Sequence, residues 1–271
     1  MSKINLHLVS DATGETLQMV ANAAKTQFLG YDPHEFIWSM VRTPEQIHKV
    51  IVSIQKNPGV VLYTLVDENL QRELFTSCKA LNIPCVDVLE PTMKTLRAHL
   101  DEESQNQPGR QHKLDEEYFK RIDAMHFCLA HDDGQLFSEL EKADVVLVGV
   151  SRTSKTPTCM YLANKGIRAG NVPWVPGVEP PEILKNLKNP IIIGLTNSVK
   201  RLVELRTNRL NQIKEQTNTN YINENFIREE VTEARKFFLK QGWSIIDVTG
   251  RSIEETAAKI LQIINQNNQR I

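Results

Sequence analysis

The residues best suited to handling a phosphate lie between Ala143 and Pro157, which read Ala-Asp-Val-Val-Leu-Val-Gly-Val-Ser-Arg-Thr-Ser-Lys-Thr-Pro. A β-branched run enters Gly149, and Gly149-x-x-x-x-Ser154-Lys155-Thr156 then has the spacing of a Walker A phosphate loop, with Ser154 where the second glycine normally stands. In such a loop the backbone amides of Gly149, Val150, Ser151, Arg152, Thr153 and Ser154 turn inward around an anion. The helix that follows adds its positive N-terminal end. Lys155 supplies a mobile charge for the terminal phosphate, and the Thr156 hydroxyl is placed to hold Mg²⁺. Pro157 suits a first helical turn, and Gly166 suits the helix's C-terminal cap. One feature counts against the motif, because Ser154 has a Cβ and a positive φ there is strained. An ordinary strand–turn–helix with a solvated lysine is the alternative; the strand before and the capped helix after favour the phosphate loop.

Three further clusters carry residue types with chemical potential. His131-Asp132-Asp133-Gly134 puts two carboxylates beside a histidine, able to hold Mg²⁺ or to take a proton from an attacking hydroxyl. The same residues also make an acidic turn closed by Gly134. Neighbouring side chains usually diverge, so one carboxylate is expected to do chemistry while the other caps or orients. Ser10-Asp11-Ala12-Thr13-Gly14-Glu15-Thr16 is a hydroxyl-rich turn between a strand and a helix. Ser10, Thr13 and the local amides suit a phosphate or a phosphorylated side chain, while Asp11 or Thr13 also suits helix capping. Arg201, Arg206 and Arg209 recur on one predicted helix, where the planar guanidinium suits phosphoryl oxygens. A solvated helix face explains these arginines equally simply, and we expect that.

The elements that must position these residues alternate. Predicted strands are Ile4–Val9, Phe36–Met40, Val60–Val66, Cys85–Leu89, Val145–Gly149, Ile191–Leu195 and Trp243–Val248. Amphipathic stretches fall between them at Thr16–Phe28, Pro44–Gln55, Glu68–Leu81, Val199–Glu215, Glu229–Gln241 and Ser252–Asn265. This order predicts an α/β chain with mainly parallel sheets flanked by helices. The polar stretch Asp101–Lys113 reads as a surface loop or linker. It predicts an N-terminal α/β domain over 1–110 and a C-terminal phosphate-loop nucleotide-binding domain, kinase-like in build, over 111–271. A second polar stretch, Gln216–Asn220, reads as a mobile connector, and the prolines of Asn171–Pro181 read as an ordered extended loop that contacts a partner.

Composition narrows the function classes. The chain has 271 residues, 41% hydrophobic and 24% charged, with a formal net charge of −1. Those fractions belong to a soluble globular protein, expected from thiols that read as reduced to be cytoplasmic, and no basic field recruits nucleic acid or a membrane surface. Cys78, Cys85, Cys128 and Cys159 lie far apart, which argues against a zinc site or a disulfide framework. His7, His34, His48, His99 and His112 have no ligand-like spacing and are expected to be structural.

Taken together, Ser10-Asp11-x-Thr13-Gly14-Glu15-Thr16, His131-Asp132-Asp133-Gly134, Gly149–Pro157 and Asn171–Pro181 resemble, in order and over nearly the whole chain, the bacterial pyruvate, phosphate dikinase / phosphoenolpyruvate synthase regulatory protein family. Thr153-Ser154 resembles the dikinase-regulating branch, whereas glycine at 154 is more typical of the synthase-regulating branch. The resemblance implies a bifunctional serine/threonine kinase and phosphorylase. Its kinase would use ADP to modify a threonine of pyruvate, phosphate dikinase, and its phosphorylase would use inorganic phosphate to remove that group as pyrophosphate. It implies a nucleotide site at Gly149–Thr156, charge neutralisation by Lys155, Arg152 and Mg²⁺, and proton transfer to Asp132 or Asp133. The oligomeric state, a homodimer included, stays open.

Overall fold

The computed structural model describes residues 4–28, 30, 33–102, 108, 116–178, 180–213 and 219–268. The chain divides into two compact units, Met1–Lys113 and Leu114–Ile271. Most of the polar stretch Asp101–Lys113, and residues 216–218 of the Gln216–Asn220 connector, lie outside the described residues.

The first unit runs β1 (Asn5–Ser10), α1 (Glu15–Lys25), β2 (His34–Trp38), α2 (Pro44–Lys56), β3 (Gly59–Thr64), α3 (Glu68–Ala80), β4 (Cys85–Asp87) and α4 (Glu90–Leu100). Its sheet is parallel throughout, in the order β2-β1-β3-β4. Alternation along β1 serves two cores. Leu6 and Leu8 pack with Leu17 and Ala21 of α1, and Val9 packs with the apolar stripes of α2 and α3. α2 begins with a capping box between Thr43 and Gln46, with Pro44 in its first turn.

The second unit repeats this winding. It runs α5 (Glu116–Ala130), β5 (Val145–Gly149), α6 (Lys155–Asn164), β6 (Ala169–Pro173), α7 (Ile183–Asn186), β7 (Ile191–Thr196), α8 (Val199–Ile213), α9 (Thr219–Ile222), α10 (Glu224–Lys240), β8 (Ser244–Asp247) and α11 (Ile253–Asn268). Its sheet is again parallel, in the order β6-β5-β7-β8. One face packs on α5, α6 and α11, and the other on α8 and α10. β5 is therefore buried over its whole length, which is why it reads as an unbroken apolar run.

The start of the expected Asn171–Pro181 loop is corrected by the structure. Ala169–Pro173 is the edge strand β6, hydrogen-bonded to β5 with Asn171 opposite Leu147. In both sheets the winding reverses beside the first strand, between β1 and β3 and between β5 and β7. Open parallel sheets bind ligands in the crevice beyond the strand C-termini at such a reversal.

At the second reversal Gly149 faces Leu195. A Cβ on Gly149 would lie 2.6 Å from the Leu195 carbonyl oxygen and 2.8 Å from Thr153 Oγ1. Gly149→Ala is expected to push β5 and β7 apart and to lower stability by about 1–3 kcal/mol in urea unfolding. An unchanged denaturation midpoint would show that the strands do not need this close approach.

Candidate active site

The phosphate loop leaves β5 with its backbone alternating in hand. Arg152 (φ 72°) and Ser154 (φ 60°) are left-handed, while Ser151 and Thr153 are not among the positive-φ residues. Alternation of this kind is the backbone pattern by which anion nests line successive amides on one side. Ser154 thus adopts the conformation that its Cβ disfavours, at a cost of about 1–2 kcal/mol. Backbone strain of this sort survives only where surrounding contacts fix it. Thr153, fully buried between the two left-handed residues, donates from Oγ1 to the Val150 carbonyl (2.9 Å). Ser154 is also the N-cap of α6 and provides no side-chain cap, so the first amides of that helix stay available to a ligand. At the other end Gly166 (φ 77°) closes α6 as expected. Its amide bonds Ala163 and that of Ile167 bonds Leu162, the pairing of a Schellman cap.

Lys155 is not a solvated lysine. It is only 7% exposed, and its Nζ donates to the Val150 carbonyl (3.1 Å). Burial pushes its ammonium down to about 8, against the opposing pull of Asp133, Cys159, Asp132 and Glu230. An ammonium held near neutrality without a full counter-charge is poised to gain one from an anion.

The acidic pair is brought to the loop by local backbone geometry. Residues Asp132–Gly134 form a tight turn after α5, in which Asp133 (φ 49°) and Gly134 (φ 78°) are left-handed. The reversed hand at Asp133 overturns the expected divergence, because both carboxylates reach the Asn171 amide. Asn171 Nδ2 donates to Asp132 Oδ1 at 2.6 Å and to Asp133 Oδ1 at 3.3 Å. Thr156 Oγ1 donates to Asp132 Oδ1 at 2.9 Å. The residues fit a divalent cation, since a hydroxyl and a carboxylate oxygen, both hard ligands, stand side by side at the N-terminus of α6. Asn171, which the sequence offered only as part of a proline-bearing stretch, is the member that sequence reasoning missed.

Arg206 corrects the expectation of a solvated arginine face. Arg201 does sit on the surface, paired with Glu204. Arg206 is 2% exposed and forms a 2.8 Å ion pair with Glu230 of α10. Its Nη2 donates to the Ser151 carbonyl in the loop (3.1 Å), and its Nη1 donates to the Tyr221 carbonyl (3.3 Å). The Tyr221 ring lies 4.8 Å from the guanidinium, and its hydroxyl pairs with Ser151 Oγ (3.1 Å). Arg206 therefore braces the loop from α8. Arg152 is exposed at the loop's surface.

In the first unit, the Ser10–Thr16 turn borders a cleft of about 600 Å³ beyond β1, β3 and β4, lined by Ser10, Asp11, Gly14, Thr16, Asp87 and Arg97 among others. Ser10 Oγ accepts from the Ala12 amide and the Thr64 hydroxyl, both at 3.1 Å. Asp11 does not cap α1. Its Oδ2 accepts from the Val66 amide (2.7 Å), tying β1 to the end of β3, and Gly14 is the N-cap. Thr13 is exposed.

Two outcomes follow from the loop's supports. Arg206→Met strands a buried Glu230 carboxylate and is expected to cost about 3–5 kcal/mol, whereas Arg206→Met with Glu230→Leu recovers most of that loss. Thermal unfolding of both variants checks this; a loss in the double variant as large as in the single one would mean that the stranded Glu230 charge is not the cause. The Lys155 charge gives a pH signature whose sign is fixed. Folded Lys155 titrates below the unfolded value, so the empty protein gains stability as pH rises through about 8 toward the unfolded value. Anion affinity needs the charged form and moves oppositely. Calorimetric ADP affinity is expected to fall from about pH 7 to about pH 9, and to stay flat over that range in Lys155→Met.

Comparison with known proteins places this geometry. Residues 6–261 match the kinase/pyrophosphorylase family. The chain is 50% identical to a protein of Rhodospirillum rubrum, over 97% of this chain and 95% of that one. It is 46% identical to one of Erythrobacter litoralis (100% and 98% covered) and 47% identical to one of Paramagnetospirillum magneticum (100% and 87% covered). All three relatives are provisionally named pyruvate, phosphate dikinase regulatory protein. With a strained phosphate loop, a buried lysine and a paired acidic turn inside the matched span, the chain belongs to the kinase/pyrophosphorylase family.

Proposed function

We propose that this protein is a bifunctional enzyme that inactivates and reactivates pyruvate, phosphate dikinase by reversible phosphorylation of one threonine. ADP is the phosphoryl donor in one direction, and inorganic phosphate the acceptor in the other. The observation that carries this reading is the convergence of Thr156, Asp132 and Asp133 beside a phosphate loop whose lysine is buried. Phosphoryl transfer needs placement and charge neutralisation more than covalent chemistry, and these groups supply both. The names of the relatives supply the protein substrate.

The residues divide the work by exposure. The loop amides and the N-terminus of α6 cradle the ADP phosphates, and Lys155 leaves the Val150 carbonyl to meet the transferring group. Mg²⁺, held by Thr156 and Asp132, supplies further neutralising charge when bound. Asp132 Oδ1 already accepts from Thr156 and Asn171, whereas Asp133 is exposed with one long contact, which makes Asp133 the proton acceptor. In the forward direction the partner's threonine oxygen bonds the β-phosphorus of ADP, its proton passes to Asp133, and AMP departs. In the second reaction a phosphate oxygen bonds the phosphothreonine phosphorus as the bond to the threonine oxygen breaks, that oxygen takes a proton from Asp133, which is replenished by the attacking hydrogen phosphate, and pyrophosphate is the product. Ser10, Asp11 and Thr13 are assigned to substrate binding, Ser10 and Asp11 by shaping the first unit's cleft and Thr13 from its exposed position.

Phosphate transfer to purified dikinase, with ADP compared against ATP, tests this reading. ADP-dependent labelling of a threonine is expected, with a loss of about 100-fold or more in Lys155→Met in both directions. Asp133→Asn is expected to lower turnover by about 100-fold with little change in ADP affinity. Transfer from ATP alone, or full activity in Lys155→Met, would overturn the proposal.

A further inference from the structure

Asn171 has an arrangement that a strand residue does not need for folding. It is 1% exposed, and its Nδ2 lies within reach of three acceptors: Asp132 Oδ1 (2.6 Å), Thr156 Oγ1 (2.9 Å) and Asp133 Oδ1 (3.3 Å). Its Oδ1 is buried with no hydrogen-bond partner among the described residues. An unpaired buried acceptor is costly and calls for an explanation. The backbone adds a second tie, because the Asn171 amide donates to the His131 carbonyl (3.0 Å) at the start of the acidic turn. Both the main chain and the side chain of this one residue therefore hold the turn against β6.

We propose that Asn171 is a positioning residue, one that orients Thr156 and the two carboxylates for a divalent cation. This rests on the reading that Thr156 and Asp132 hold Mg²⁺. A hydroxyl has one proton and two lone pairs. The Thr156 proton goes to Asp132 and one lone pair receives the Asn171 amide, so a single lone pair is left to face a cation. The amide also keeps two adjacent carboxylates together without adding charge. Both carboxylates are thereby tied through one neutral side chain to β6, next to the Thr156 hydroxyl. Alanine at 171 would lose both effects, and aspartate would add a third negative charge.

Binding of Mn²⁺, followed by electron paramagnetic resonance on the full chain with ADP present, tests the assignment directly. Asn171→Ala is expected to weaken Mn²⁺ binding by about tenfold or more, as loss of a residue supporting metal ligands typically does. ADP affinity measured without metal is expected to stay within about twofold, because the loop amides are untouched. Turnover is expected to fall while KM for dikinase holds. Asn171→Asp keeps the shape and guards against a folding defect, but its carboxylate cannot donate to Asp132 or Thr156, and it too is expected to bind Mn²⁺ about tenfold or more weakly. Native Mn²⁺ binding in either variant would overturn the proposal. Thr156→Val separates the two levels. If it binds Mn²⁺ normally, the metal reading falls and takes this proposal with it. If it loses Mn²⁺ while the Asn171 variants keep it, only the role of Asn171 falls.

Discussion

The site depends on a grip on two consecutive carbonyls. Val150's oxygen accepts from Thr153 Oγ1 and from Lys155 Nζ, and Ser151's oxygen accepts from Arg206. In a trans peptide the carbonyl and the next amide point in opposite directions. Holding the oxygen of 150 therefore turns the amide of 151 away from Thr153 and Lys155, and holding that of 151 turns the amide of 152 away from Arg206. A phosphate cradle must leave its donors unpaired, so it cannot be held by the groups it offers. It is held by their opposite ends. That accounts for a buried arginine, a buried threonine and a buried lysine around a surface loop, and for two left-handed residues that bear side chains.

The two units use the same winding to different ends. Each sheet starts at an interior strand and reverses beside it, placing a turn at the crevice. At the end of β1 the polar side chains are spent on the neighbouring strand, with Ser10 on Thr64 and Asp11 on Val66. At the end of β5 the bracing comes from residues farther along the chain, and among the described residues the amides of 150–154 donate no hydrogen bond outside regular secondary structure. The first arrangement makes a firm wall for a cleft; the second makes a loop held in shape from outside itself.

What was legible in the sequence follows from how local each signal is. The Gly149–Thr156 loop lies in one contiguous run with a buried strand before it and a Schellman cap behind it, so the strand, turn and helix and the fold class could be read. β6 could not, since alanine, glycine, asparagine and proline within Ala169–Pro173 are all poor strand formers; burial against β5 overrides that propensity. The start of α10 was placed too late, although Asn223, whose side chain caps Asn225 and Phe226, was visible. Arg206 looked like its neighbours on α8 because nothing nearby announces Glu230 on another helix. Asn171 was hidden for the same reason: its partners come from α6 and from the turn after α5. The convergence of both carboxylates depends on the left-handed backbone of Asp133, which residue type permits without specifying.

β6 is an edge strand, and an uncovered edge is a template for pairing with another chain. The main-chain bond from Asn171 to His131 lays the start of the acidic turn along that edge. The segment that carries Asp132 and Asp133 therefore also shields the sheet. Loosening the turn would expose a parallel sheet to strand addition in the same act that scattered the carboxylates.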